Sequence, residues 1–480
     1  MDINRRTALQ GIGSLVALPP RFSIAQAEDL ADAHLKLADF ARRVAKREDQ
    51  TINLLVPDGC QPNLRPVIET FKALTKINVE LTVAPVDDIN TELLLRDFSN
   101  NSDTDLALVA SFGMSDLVQA NTLQTVDALE KRYPIARSVR KLSLYQHADG
   151  LNGRTYGPQF DGDLYLMFYN QAILENPAFA AAFKQETGEA FGIAKSWQHL
   201  DQMMQFVQDQ DEQLSGGVLF RTPGYINWEF WVRLHARGLL PFDNDMRPTV
   251  TSRIGIEVID DLVEATRSQH PGVKSMGLVE NWEAFTSGKA FCHIGWGGSQ
   301  KYFRTHSDNL QGGVVVSQLP GISGGIQAVP LFNWGWNFAI PRASAQVELA
   351  FLFAAFAVTP HISAKAVSAA DGFIDPFQAE HYRTPSIIET YGQEFLTVHE
   401  TGMRTAIPDF YVRGHREYME ALSSALLLAD RGQISAVDAS DNISKRWEEI
   451  TDRLGRSAQI AQWRSLKRLY PREIIEAING

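Results

Sequence analysis

Residues Tyr156 to Pro177 read YGPQFDGDLYLMFYNQAILENP. Gly157-Pro158 holds the backbone extended through a turn, and two acids, Asp161 and Asp163, follow it. Leu164 to Tyr169 is apolar and aromatic without a helical period, which predicts one buried strand. The run breaks at Tyr169-Asn170 into a short helix carrying Ile173 and Leu174. Polar groups at the mouth of a buried strand, with a second structural unit behind, are what a crossing between two lobes requires.

The chain has 480 residues and a formal charge of −12, with ordinary hydrophobic and charged fractions. That length accommodates two to three domains. The acidic balance argues against nucleic acid and anionic lipid as partners and is compatible with a neutral or cationic small ligand. Residues 1–27 read as an export signal: Arg5-Arg6, an apolar stretch from Gly11 to Leu18, and Ala25-Gln26-Ala27 as cleavage site. The paired arginines, with Arg21 near the cleavage site, point to the Tat route and a periplasmic location. No other apolar run approaches the ~20 residues that span a bilayer. Cys60 and Cys292 fall in different lobes by this reading, and two free buried thiols are expected, since a bond between them would lock the lobes.

From 28 to 50, Leu30, His34, Leu37, Ala41 and Val44 mark an amphipathic helix outside the first lobe. A βα rhythm follows. Ile52–Val56 is a strand, Pro62 opens a helix, Val79, Leu81 and Val83 alternate as a second strand, and 105–110 is a third. This spacing implies a parallel sheet wound on both faces, in which ligands bind at the carboxyl ends of strands. The rule nominates Asp58 in the loop after the first strand, and Ser111 and Phe112 after the third.

The crossing stretch also resembles the signature of the family 1 extracellular solute-binding proteins, through Phe160, Asp161, Met167, Phe168, Tyr169, Asn170, Leu174 and Asn176; Gln159 and Leu166 depart from it. Further matches follow. Ser196-Trp197, with Leu200, Met204 and Val207, resembles the family's Thr-Trp-x-x-Leu helix, capped here by Ser196 and with Trp197 in the core. Gly288 to Gly298 resembles the segment in which a Gly-Lys-Ala turn and a buried strand lead to a cleft tryptophan, here Trp296. Leu331 to Pro341 resembles the family's Gly-x-x-x-Ala-Ile-Pro element, with Asn333 and Trp334 at the start that lies beside the cleft. The loop holding Phe373 is of the kind that reaches back to ligand, and Ile407 to Tyr411, followed by two helices, matches the family's C-terminal order.

Within the aromatic cluster 225–231, Tyr225 and Trp228 are placed toward the cleft and Trp231 inward. Asp243-Asn-Asp245 lacks the glycine and distal glutamate of an EF-hand and reads as a hairpin turn.

Enzymatic alternatives find little support. Gly321-Ile-Ser323-Gly-Gly325 fits G-x-S-x-G, but Pro320 before it and Pro330 after it make a loop, not a strand–turn–helix elbow. No histidine pattern supports a metal site. Asp161 and Asp163, two apart on a strand, should point to opposite faces and serve as hydrogen-bond acceptors for hydroxyls or a cation, not as a glycosidase pair.

The expected fold is therefore α/β, the two-lobed periplasmic-binding-protein fold of type II, with doubly wound sheets joined by a hinge. Residues 51–160 and 313–340 form lobe 1, and 161–312 and 341–480 form lobe 2 with the C-terminal helices. The resemblance implies a monomeric, non-enzymatic, cofactor-free protein that delivers a small solute to the membrane subunits of an ABC transporter. A sugar or polyol is the expected solute, stacked on Phe112, Trp228, Trp296 and Trp334 and hydrogen-bonded to Asp58, Asp161, Asp163 and Asn333, with Ser111, Phe373 and Tyr411 completing the site. The alternatives are a polyamine or other organic cation as solute, and an exported accessory protein that binds a partner enzyme.

Overall fold

A computed structural model describes residues 30–479 apart from 48, 100–102, 146–149, 152 and 322–327. The export signal and most of the G-x-S-x-G stretch lie outside the described residues. Among the described residues twelve strands follow one another: β1 (Thr51–Pro57), β2 (Asn78–Ala84), β3 (Leu106–Ala110), β4 (Gly150–Leu151), β5 (Arg154–Thr155), β6 (Leu164–Asn170), β7 (Ser215–Val218), β8 (Ala290–Gly295), β9 (Val314–Ser317), β10 (Leu331–Phe332), β11 (Trp336–Ala339) and β12 (Ile407–Pro408).

The first sheet has the order β11-β3-β1-β2. β1 is parallel to both β2 and β3, and β11 closes the far edge antiparallel to β3. The second sheet runs β12-β10-β6-β8-β7. Its centre is β6, the crossing strand, every residue of which is buried. Asn170 ends it by accepting from Ala172 N, which starts the short helix Gln171–Leu174 as the sequence implies. Ser196 likewise caps Trp197–Gln210, and Ser435 caps Ala436–Leu454.

Two segments sit elsewhere than expected. The segment 313–340 is expected in lobe 1, but β9 at its start pairs with β6 in the second sheet. β8 fills one edge of β6; β10 and β9 share the other, which would otherwise present unpaired backbone groups in the interior. The return is made by β11. The helices Val347–Ala357 and Pro360–Val367, placed in the second lobe by sequence, cover the first sheet instead. Phe353 lies 5.0 Å from Phe71 and 6.1 Å from Phe338. Val347–Ala357 is buried continuously from Leu349 onward, so it needs apolar partners on all sides. The N-terminal helix Ala33–Val44 supplies the outer one through Leu37, Ala38 and Ala41.

Cys60 and Cys292 are both buried and unbonded to each other. Burial pushes both thiols well above their ordinary range.

Candidate functional site

Between the two sheets lies a cavity of about 460 Å³, walled by Phe112, Tyr225, Trp228, Trp334 and His415 with Asp87 at its edge. Phe112 follows β3, Trp334 lies between β10 and β11, Tyr225 and Trp228 occupy the first turn of Tyr225–Ala236, and His415 begins His415–Asp430. The rings form a box. Trp334 sits 5.5 Å from Phe112, 5.3 Å from Tyr225 and 5.1 Å from Trp228, mostly tilted or edge-on, and Phe112 is 6.0 Å from His415.

Trp334 has φ of +78°, a left-handed conformation that costs a bulky side chain about 1–3 kcal/mol unless its surroundings fix it. Its indole N–H is buried without a protein partner, as is Oδ1 of Asn227, which also lines the cavity. Both residues border the ring-walled space, while these two atoms themselves are covered by protein. The helix that carries Tyr225, Trp228 and Asn227 is buried along its whole length. It is fixed by Glu229, which accepts from Arg221 at 2.6 Å and Arg233 at 2.9 Å, while Arg233 also bonds Asp201 at 2.7 Å.

Contacts bridge the cavity at two ends. Tyr225 Oη donates to Asp87 Oδ1 at 3.1 Å. At the other end Ser115 Oγ donates to Val412 O, and Asp116 accepts from the backbone N–H groups of Gly414 and Arg416.

Of the residues nominated by sequence, Phe112, Trp228 and Trp334 line this cavity. The others do not. Trp296 stands one layer behind, 5.7 Å from Trp228 and 5.4 Å from Trp334, with its indole N–H donated to Asn333 Oδ1 at 3.1 Å. Asn333 is fully buried and engaged there. Ser111 and Tyr411 are also buried. Asp58 is an exposed turn residue, accepting from Gly59 N and Gln61 Nε2. Phe373 packs 3.1 Å from where a side chain on Gly298 would begin and 5.8 Å from Trp336.

Asp161 and Asp163 depart most from expectation. They do not diverge: with Asp375 they bring carboxylate oxygens within 4.8 Å of one another. β6 begins only at Leu164, so strand alternation does not govern 161–163. Gly162 presses against the Pro376 carbonyl where any side chain would collide. Asp161 Oδ1 accepts from Gly162 N at 2.8 Å and Asp375 N at 2.6 Å. Asp375 accepts from Gly297 N at 2.7 Å and from the Tyr391 hydroxyl at 2.8 Å. Desolvation, with the neighbouring carboxylate charges, raises Asp161 to about 8 and also lifts Asp163; burial lifts Asp375. Burial lowers Lys301 beside them to about 8.

Asp87, Asn227 and His415 were not foreseen. The rule that nominated the loops after β1 and β3 applies equally to the loop after β2, where Asp87 stands. His415 carries no local signal, because only tertiary packing brings the start of its helix to the cleft.

The arrangement of two α/β sheets around a ring-walled cleft, with a buried strand crossing between them, defines a two-lobed solute-binding protein. Residues 67–391 match the model of a family described as bacterial extracellular solute-binding protein, and the chain belongs to that family, which implies export. Solved structures agree in fold. Maltose-bound MalE3 of T. maritima superposes with a TM-score of 0.69 at 19% identity, over 83% of this chain and 99% of that one. An ABC transporter solute-binding protein from Agrobacterium radiobacter K84 in complex with ribitol gives 0.70 at 16% identity, over 84% and 99%. One from Agrobacterium vitis S4 with bound D-mannitol gives 0.67 at 16%, over 85% and 99%. No curated protein matches the chain by sequence.

Proposed function

We propose that this protein captures a neutral sugar or polyol in the ring-walled cavity and hands it, chemically unchanged, to the membrane subunits of an ABC transporter. One observation carries the reading: a cavity between the two sheets combines aromatic faces with the polar side chains of Asp87, Asn90, Asp116 and Asn227 along its lining. Rings cover the apolar face of a pyranose or an extended polyol, and the carboxylate and amide side chains of the lining supply partners for its hydroxyls. Solutes bound by the structural neighbours, among them maltose, ribitol and D-mannitol, support the same class.

In this reading the lobes divide at the crossing near Asp161, the protein acts as a monomer, and export uses the Tat route through Arg5-Arg6. Closure follows from ligand bridging the two walls, because only the closed form makes both sets of contacts.

Thermal unfolding of the mature protein against a panel of mono- and disaccharides, polyols, polyamines and amino acids tests it. Ligand at 100 times its dissociation constant adds about 2.7 kcal/mol. A stabilising sugar or polyol is the expected result; stabilisation by polyamines alone would overturn the solute class, and no stabilisation by any of them would overturn the nutrient-binding reading.

A further inference from the structure

Asp161, Asp163 and Asp375 come from two segments far apart in the chain, and all three are buried. Their carboxylate oxygens converge within 4.8 Å. Fully ionised, these groups do not balance in charge. The nearest ammonium, on Lys301, donates to Ile374 O at 2.9 Å and lies 5.0 Å over the Tyr391 ring, and it forms no ion pair with the three acids. Three carboxylates and one ammonium would sum to −2 in a region largely withdrawn from water, so without a further positive charge the acids must hold protons, the state to which Asp161 and Asp163 are driven.

The hydrogen bonds show where that charge is missing. Asp375 and Oδ1 of Asp161 are served by N–H and O–H donors from outside the cluster. Asp161 Oδ2 is fully buried and has no partner, and Asp163 receives no donor from outside the cluster among the described residues. The one buried oxygen without a partner, Asp161 Oδ2, thus belongs to the converging group.

We propose that Asp161, Asp163 and Asp375 bind one hard divalent cation, of the Ca²⁺, Mg²⁺ or Mn²⁺ class. Carboxylate-only ligation suits these ions and disfavours zinc or copper, which prefer nitrogen and sulfur. A charge of +2 cancels the residual −2. The ion clasps the crossing segment to the 372–376 loop, and through Gly297 N on Asp375 to the helix Gly297–Thr305 that follows Trp296. It is a structural site one layer from the solute cavity.

The test uses mature protein stripped with EDTA and then transferred to chelator-free buffer. Thermal unfolding is followed as CaCl₂, MgCl₂ or MnCl₂ is added at constant ionic strength, with KCl as control. At least one divalent ion should raise the midpoint by about 2 °C or more, and KCl should not. Asp163→Asn and Asp161→Asn should each abolish the shift, and inductively coupled plasma mass spectrometry should find one ion per wild-type chain. The proposal is overturned if stripped protein is indifferent to every divalent ion, or if the variants shift as the wild type does. Should neither variant fold, the anomalous signal of Mn²⁺ in wild-type crystals decides: a peak among the three carboxylates supports the site, and its absence refutes it.

Discussion

The hydroxyl of Tyr225 donates across the mouth of the cavity to Asp87 Oδ1, 3.1 Å away, joining the helix Tyr225–Ala236 to the loop after β2. Partial desolvation raises the Asp87 carboxyl above its ordinary range, although the residue as a whole is exposed at the rim. Tyr225→Phe should remove it while leaving the ring in the box. A net loss of about 1 kcal/mol is expected, or roughly fivefold in affinity for the sugar or polyol that the panel selects. Calorimetric titration of the variant checks this, and unchanged affinity would show that the bond does not close the cleft.

Trp334 allows its backbone and its ring to be separated. Glycine adopts φ near +78° readily and alanine does not, so Trp334→Gly should be more stable than Trp334→Ala by about 1 kcal/mol. Both lose the box and the free indole N–H, and both should bind at least tenfold more weakly. Urea midpoints with affinities on the two variants test both halves; equal midpoints would mean that the left-handed conformation is not retained.

Trp296 behaves as support for the wall. Its indole is held by Asn333 and packs 5.0 Å from Tyr165 and 5.8 Å from Phe220. Trp296→Ala should therefore cost about 3–5 kcal/mol of stability, with weakened binding as a secondary effect. A variant of wild-type stability that cannot bind would return Trp296 to direct ligand contact.

Four buried histidines make the fold acid-sensitive. Burial lowers His235 to about 4, and His293, His381 and His399 to about 3. His235 donates Nδ1–H to Trp231 O at 2.7 Å and accepts from the Tyr470 hydroxyl at Nε2, so a second proton would have to reverse the Tyr470 bond in a fully buried setting. Below about 6.5 the unfolded chain binds protons that the native one refuses, so stability falls as pH drops, by about 2 kcal/mol per histidine at pH 5. Urea unfolding at pH 7 and pH 5 measures the drop, and His235→Gln should lose less of it. An identical drop in that variant would exclude this histidine as a cause.

Much of the fold was legible because local pattern and tertiary role coincide. Leu164–Tyr169 had no periodicity because both its faces are covered, and Ser196 and Ser435 cap as their position before an apolar period demands. Legibility failed where one residue's role depends on another far away. Val314–Leu319 reads as a strand either way; only the open edge of β6 decides which sheet it joins. At the site, Phe112, Trp228 and Trp334, nominated by aromatic content, line the cavity. Nothing local distinguishes Trp334 from Trp296, which differ only in whether a further layer covers them. Alternation misled at Asp161 and Asp163 because the strand starts one residue later.

The two thiols have a practical consequence for making reagents. Cys60 and Cys292 are sealed in the interior and reluctant to ionise, so they stay unreactive toward maleimides while the protein is folded. A cysteine introduced at the exposed Asp88, on the rim of the cavity, is then the single labelling position. An environment-sensitive dye attached there reports solute capture directly, without first removing either native cysteine.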